Sequence, residues 1–459
     1  MTKDLTNADL ENFQSAYEKT PCADVIARAV QENGVTAASK NFAAKANHDH
    51  VFSVEVETGK ITNQKKSGRC WLFSTLNTLR QQVAKDLKVK DFEFSQNYDS
   101  FYDRLEKANM FYEKMIRLAE RDDDDREYLF ELDWGDEDGG QFANAAALIN
   151  KYGLVPKSVM PETFVSENTS ELNDVLNLKI KKDALEIRKM KKAGKTEEEM
   201  RAFKLEKMKE VYRMLVYAFG KPPVKFDFEY RDDDNQYHID RNLTPKEFFD
   251  KYVHVDFSDY IDLTNAPDHE MYKHYSLSNQ DYLFEGEHVT YVNVPMEELK
   301  AAVIAQLKSG KAVWFGCDVS KDMDRENGVL DTDLFKKGEL FDIDLNLDKA
   351  GRLATRVGEC SHAMAITGVD LVDDKPVKWK VENSWGEKNG NKGYFIMTDA
   401  WFDAYVYQAV VLKQFATDKQ KEIFDVCLEA NLTAQAAMKL LKRSRSRLSR
   451  GIRWAKRCS

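Results

Sequence analysis

The chain has 459 residues, 42% of them hydrophobic and 32% charged, with only 21 Gly and 9 Pro; this excludes collagen-like and low-complexity classes and provides for a large core. The formal charge of -10, from 78 acidic against 68 basic residues, favours solubility over general attraction to nucleic acid. Six cysteines at 22, 70, 317, 360, 427 and 458 show neither CxxC nor zinc-finger spacing, a pattern of free thiols in a reducing compartment rather than a disulfide framework.

The stretch MTKDLTNADLENFQ carries acids where a secretion signal would be apolar, and no run of about 18 uncharged apolar residues occurs. A cytoplasmic protein with no membrane partner is expected. Residues 1–50 are predicted to form a helical extension or clamp, with Leu10, Phe13 and Tyr17 at helical spacing. Residues 51–164 are read as a helical lobe. In it the polar run Ile61–Arg69 is predicted to be an exposed loop, followed by a helix beginning near Cys70 with Leu72, Phe73, Leu76, Leu79, Val83 and Leu87 on one face. Asp138-Gly139-Gly140-Gln141 then turns into a small-residue helix. Residues 165–225 are dense in Leu, Met, Lys and Glu up to Pro222-Pro223 and predict an inserted helical hairpin. Short β-rich runs such as KAVWFGCDV, SHAMAITGVD and VKWKVENSW make residues 226–412 a sheet-bearing lobe, giving an α+β class. Residues 413–459 form a tail in which Thr433–Ser459 hold nine Lys or Arg and no acid.

The chemistry gathers on four residues. Cys70 stands at a predicted helix N-terminus, where free N–H groups and the macrodipole favour a thiolate. Gln64 carries a side-chain amide six residues earlier that suits an oxyanion hole together with the Cys70 N–H. His362 opens a β-like run and is positioned for proton transfer. In VKWKVEN, Val377, Trp379, Val381 and Asn383 alternate with Lys378, Lys380 and Glu382, which places Asn383 on the apolar side. There its amide needs a partner such as the His362 imidazole, with Trp385 as a shield.

These segments resemble the papain-like cysteine peptidases: QKKSGRCWLFSTLN carries Gln-x5-Cys-Trp-x-Phe-Ser, and NSWGEKNGNKGYF carries Asn-Ser-Trp-Gly with a downstream Gly-Tyr. Cys70 and His362 stand 292 residues apart, against roughly 130 to 150 in papain. With the extension and the insertion, this is similar to the bleomycin hydrolase and aminopeptidase C branch, over about residues 1 to 412. The resemblance implies a two-lobed papain-like fold, Cys70, His362 and Asn383 as catalytic residues, Gln64 as oxyanion donor, peptide substrates cleaved through a thioester, and a homohexamer. No cofactor or metal is implied. Ser67 stands where secreted papain-like enzymes place a disulfide cysteine, in keeping with a reducing cytosol.

In that branch the chain ends in an arm whose terminal carboxylate enters the cleft and restricts cleavage to the substrate's amino end; the tail here does not match it. An aminopeptidase is expected, with endopeptidase action as the alternative. A third alternative is a nucleic-acid-binding protein of peptidase ancestry acting through the basic tail and Trp454. Cys22, Cys317 and Cys360 are read as structural. The acidic runs Asp122–Asp125 and Asp232–Asp234 are read as solvated surface rather than metal ligands.

Overall fold

The computed structural model describes residues 3–286 and 288–425. The basic run, Trp454, Cys427 and Cys458 lie outside the described residues, and with them the nucleic-acid expectation. Among the described residues no helix is long and apolar enough to cross a membrane.

Helices α1 (Asn7–Lys19) and α2 (Ala23–Ala38) open the chain. Thr6 and Asp9 form a reciprocal capping box at the start of α1. The apolar face read from the sequence is present but uncovered: Leu10, Phe13 and Tyr17 are about half exposed, and neither helix buries a residue.

The helical lobe is built from α3 (Cys70–Leu87), α4 (Gln96–Arg117), α5 (Arg126–Trp134) and α6 (Phe142–Tyr152). All six apolar positions read for α3 are buried, as their 3.6-residue spacing requires. The inserted hairpin, α7 (Ser170–Lys192) and α8 (Glu197–Phe219), packs Leu176, Ile180, Ile187 and Leu215 against Phe101, Tyr112 and Met115 of α4. Gly140 lets the turn before α6 lie flat on Trp71, since a Cβ there would come 2.6 Å from the indole.

Strands β1 (Val54–Glu55), β4 (Tyr260–Thr264), β5 (His274–Ser276), β6 (Thr290–Asn293), β7 (Val313–Cys317), β8 (Met323–Asp324), β9 (Val329–Leu330), β10 (His362–Val372), β11 (Lys375–Glu382), β12 (Tyr394–Thr398) and β13 (Val406–Leu412) form one sheet. Its order is β5-β6-β4-β13-β7-β10-β11-β12-β9-β8, with β1 on β10. A separate hairpin, β2 (Phe226–Arg231) and β3 (Tyr237–Leu243), was not distinguished from the lobe by its sequence. One face of the sheet packs Phe315, Ile366, Trp379 and Phe395 into the lobe's own core. The other presents Trp314, Ala363 and Val410 to Trp71, Leu76 and Phe142, closing the junction between the lobes.

The reading of VKWKVEN is corrected in part. Val377 is exposed, whereas Glu382, expected on the outer side, is 2% exposed. Both faces are covered at the end of β11, and Glu382 is held there by Arg80 at 2.9 Å and by Thr58. The acidic runs serve local geometry: Asp125 caps α5, and Asp232 accepts the Gln236 N–H.

Candidate active site

The loop before α3 is tied down at almost every residue. Gly68 N–H donates to Asp138 Oδ2 at 2.7 Å, and Arg69 Nη2 pairs with Glu162 Oε2 at 2.9 Å. Asp138 is the hub. It also accepts from Arg104 Nη1 of α4 at 2.6 Å and from the Thr169 hydroxyl just before α7 at 2.5 Å, and its carbonyl accepts the Trp71 indole N–H at 2.8 Å. Burial would raise this carboxyl, but Arg104, the Gly68 N–H and Thr169 outweigh it and hold Asp138 below the usual carboxylate range.

Cys70 is the first residue of α3, and no side chain caps the helix there. Its sulfur therefore meets an unneutralised helix N-terminus. Burial pushes the thiol up. The charge of His362 and the hydrogen bond to it, joined by the N–H groups of Ala363 and Trp71, reverse that and bring the thiol below its ordinary range. The same pair acts on His362 with the opposite sign: burial lowers its proton affinity, but Cys70 and the Asn383 amide raise it above that of an ordinary histidine, against a smaller opposing effect of Arg325. The geometry thus favours a thiolate–imidazolium pair.

His362 is the first residue of β10, opposite Cys317 of β7, and is 8% exposed. Its Nε2 lies 3.0 Å from Asn383 Oδ1, an oxygen that also accepts the Ser384 N–H at 2.8 Å and is thereby fixed as acceptor. Asn383 follows β11 directly and is fully buried. The Trp385 ring lies 5.0 Å from the imidazole, tilted by 33° to it.

Gln64 is buried and bonded to both sides of the cleft. Its backbone N–H donates to Ser384 O at 2.8 Å, its Oε1 accepts the Ser384 hydroxyl at 2.6 Å, and its Nε2 donates to Ser67 O at 2.6 Å. The second Nε2 hydrogen remains available for an oxyanion. The structure thus brings together all five residues singled out in the sequence: Gln64, Cys70, His362, Asn383 and Trp385.

Of the other cysteines, Cys317 is buried and Cys22 is exposed, which corrects the structural reading at Cys22; Cys360 is an exposed residue whose sulfur is nonetheless buried. Cys360 is near enough to Cys70 to feel its charge, but burial of its sulfur and nearby negative groups push its thiol up, so it lacks the activation of Cys70. Sequence reasoning missed Asp138 as a hub and Arg325 above Trp385. The Asp-Gly-Gly turn pointed to the first; nothing local marked the second. A cavity of about 730 Å³ between α4 and α8, lined by Leu105, Leu205, Met208 and Tyr212, contains none of the five residues. Among the described residues no group of three or more His, Cys, Asp or Glu is arranged to hold a metal ion.

Residues 4–436 match the model of the Peptidase C1-like family. The match ends before the first of the nine basic residues of the tail. The chain is 50% identical over 424 residues to Aminopeptidase E of Lactobacillus helveticus, covering 92% of this chain and 97% of that one. It is 46% identical to Aminopeptidase C of the same species, covering 93% and 95%. The crystal structure of PepW from Lactobacillus rhamnosis HN001 superposes with a TM-score of 0.91 at 45% identity, over 94% of this chain and 97% of that one. With its mixed sheet and helical lobe meeting at Cys70 and His362, the chain belongs to the Peptidase C1-like family, as a cysteine peptidase of the aminopeptidase C type with a papain-like α+β fold.

Proposed function

We propose that the chain is an aminopeptidase that works on peptides in the cytoplasm through a thioester, as a homohexamer, with Cys70 as nucleophile. The observation that carries this is the hydrogen-bonded Cys70–His362 pair at an uncapped helix N-terminus, with Asn383 behind the imidazole. In this reading the thiolate attacks the scissile carbonyl carbon, and the carbonyl oxygen takes up the negative charge between Gln64 Nε2 and the Cys70 N–H. As the tetrahedral species collapses, the C–N bond breaks and the imidazolium gives its proton to the departing amine. The neutral imidazole then takes a proton from water, which attacks the thioester carbon and releases the acid and the thiolate. Asn383 Oδ1 holds Nε2, which turns the other ring nitrogen toward sulfur.

Gln64→Ala is expected to lower kcat by about 10²-fold or more while leaving alkylation of Cys70 unchanged, because the amide acts on the oxyanion and not on the resting sulfur. Equal losses in both assays would make Gln64 a support of the loop through Ser67 and Ser384.

The aminopeptidase reading is supported by the names of the relatives. Endopeptidase action is the second reading, favoured by a tail whose basic run lies beyond the family match. The two separate on a fluorogenic aminoacyl substrate and its N-acylated counterpart, assayed with the full chain and with residues 426–459 removed. Residues before 426 are kept because Ile423 and Phe424 pack against the core of the sheet-bearing lobe. Preference for the free amine is expected of the full chain; faster cleavage of the acylated form would establish the endopeptidase.

A further inference from the structure

Arg325 occupies the turn between β8 and β9, with its guanidinium carbon 4.2 Å from the centroid of the Trp385 ring. The same indole has His362 as a neighbour at 5.0 Å. Arg325 is exposed, and among the described residues it forms no ion pair and donates no hydrogen bond. On the turn, Asp324 and the Glu326 carbonyl are already engaged. Asp324 binds Lys40 at 2.8 Å and accepts from Asn327, while Glu326 O accepts the Gly390 N–H at 3.0 Å. Gly328 packs so closely on Gly390 that a Cβ would come 2.4 Å from its Cα. The turn is thus locked to the segment after Trp385, and the guanidinium is held over a ring with its N–H groups uncommitted.

The side of the cleft follows from the chemistry. The leaving amine takes its proton from His362, so the leaving half of a substrate departs past the imidazole. Trp385 and Arg325 flank that same imidazole. The Arg325 charge is felt at the ring, where it lowers proton affinity, in keeping with this proximity.

We propose that Arg325 binds a carboxylate on the leaving-group side of the substrate, either the C-terminal carboxylate of a short peptide or an acidic side chain just beyond the scissile bond. This rests on the peptidase reading above and adds a preference to it. A guanidinium fork takes a carboxylate through two parallel N–H···O bonds, and stacking on an indole fixes its plane beforehand. A lysine at this position would supply the charge without the fork.

The test uses the full chain, Arg325→Met, which keeps a stem over Trp385, and Arg325→Lys. Three peptides are compared, free or N-acylated according to the form the parent cleaves: Leu-Ala, Leu-Ala amide and Leu-Asp amide. A leucyl fluorogenic amide, with no carboxylate on the leaving side, reports that the enzyme works. In the parent, kcat/KM for Leu-Ala or for Leu-Asp amide is expected to exceed that for Leu-Ala amide by about 10-fold or more. The ratio should collapse toward one in Arg325→Met and fall partway in Arg325→Lys. A preference confined to Leu-Ala identifies the terminal carboxylate, and one confined to Leu-Asp amide identifies the side chain. A parent that cleaves all three peptides equally, or a preference that survives in Arg325→Met, overturns the proposal and leaves the peptidase reading standing. A parent inactive on every substrate, the fluorogenic amide included, removes both.

Discussion

Replacing Cys70 by Ser is expected to reduce peptide hydrolysis by about 10⁴-fold or more, with a thermal midpoint within about 2 °C of the parent. The substitution changes one atom at a partly accessible position, so packing is conserved. The chemistry is not. The helix terminus, the His362 charge and the N–H groups of Ala363 and Trp71 together lower the thiol toward the range of the histidine, but an aliphatic hydroxyl lies far above that range. The histidine, raised by its thiolate partner, would lose that stabilisation and gain no nucleophile. Turnover of a fluorogenic peptide, with melting followed on the same sample, decides the matter. Activity within tenfold of the parent would mean that another group attacks.

Replacing His362 by Ala is expected to lower hydrolysis by a similar factor and, separately, to shift the pH at which Cys70 alkylates. In the parent the thiol is depressed and the imidazole raised, so the thiolate–imidazolium pair persists between the two titrations. Activity should fall on the acid side as the thiolate is protonated and on the alkaline side as the imidazolium loses its proton. In the variant, burial of the sulfur remains while the opposing charge and hydrogen bond are gone, so the thiol rises. Alkylation near pH 6 should then slow and recover as the pH is raised. Hydrolysis should not recover, because no group remains to protonate the departing amine. Mass spectrometry locates the label and distinguishes Cys70 from Cys360. Asn383→Ala keeps the base and loses only its orientation, so its loss of turnover should be smaller; the reverse ranking would contradict both roles.

The residues of the candidate site were legible because each sits in a run whose local pattern survives folding. Cys70 opens a helix whose apolar period is unambiguous. His362 opens a strand, and Asn383 ends one. The run dense in Leu, Met, Lys and Glu over residues 165–225 pointed to the inserted hairpin, and α7 and α8 lie within it. What was not legible depends on partners far apart in the chain. Glu382 was read as outward because the alternation of a strand cannot register Arg80, 302 residues away, waiting on the covered side. Cys360 is read as structural on residue type alone, although its place two residues before His362 brings it within the field of Cys70. Arg325 carries no local signal, since its significance lies in a ring 60 positions later. For α1 the period was right, but among the described residues nothing covers its apolar face.

The hub at Asp138 bears on how the molecule comes apart. The loop carrying Cys70 has Ser67 in place of a bridging cysteine, and one of its main restraints is a carboxylate shared among Gly68, Arg104 and Thr169. These belong to the nucleophile loop, to α4 and to the entrance of the inserted hairpin. The insertion is therefore not a detachable ornament. Excising it would remove Thr169 and Asn173 and strip the buried Arg104 of part of its shell, loosening the loop that aims the sulfur. Loop, helix and hairpin are thus joined through one carboxylate, so fraying of the hairpin is expected to loosen the alignment of the reactive thiol.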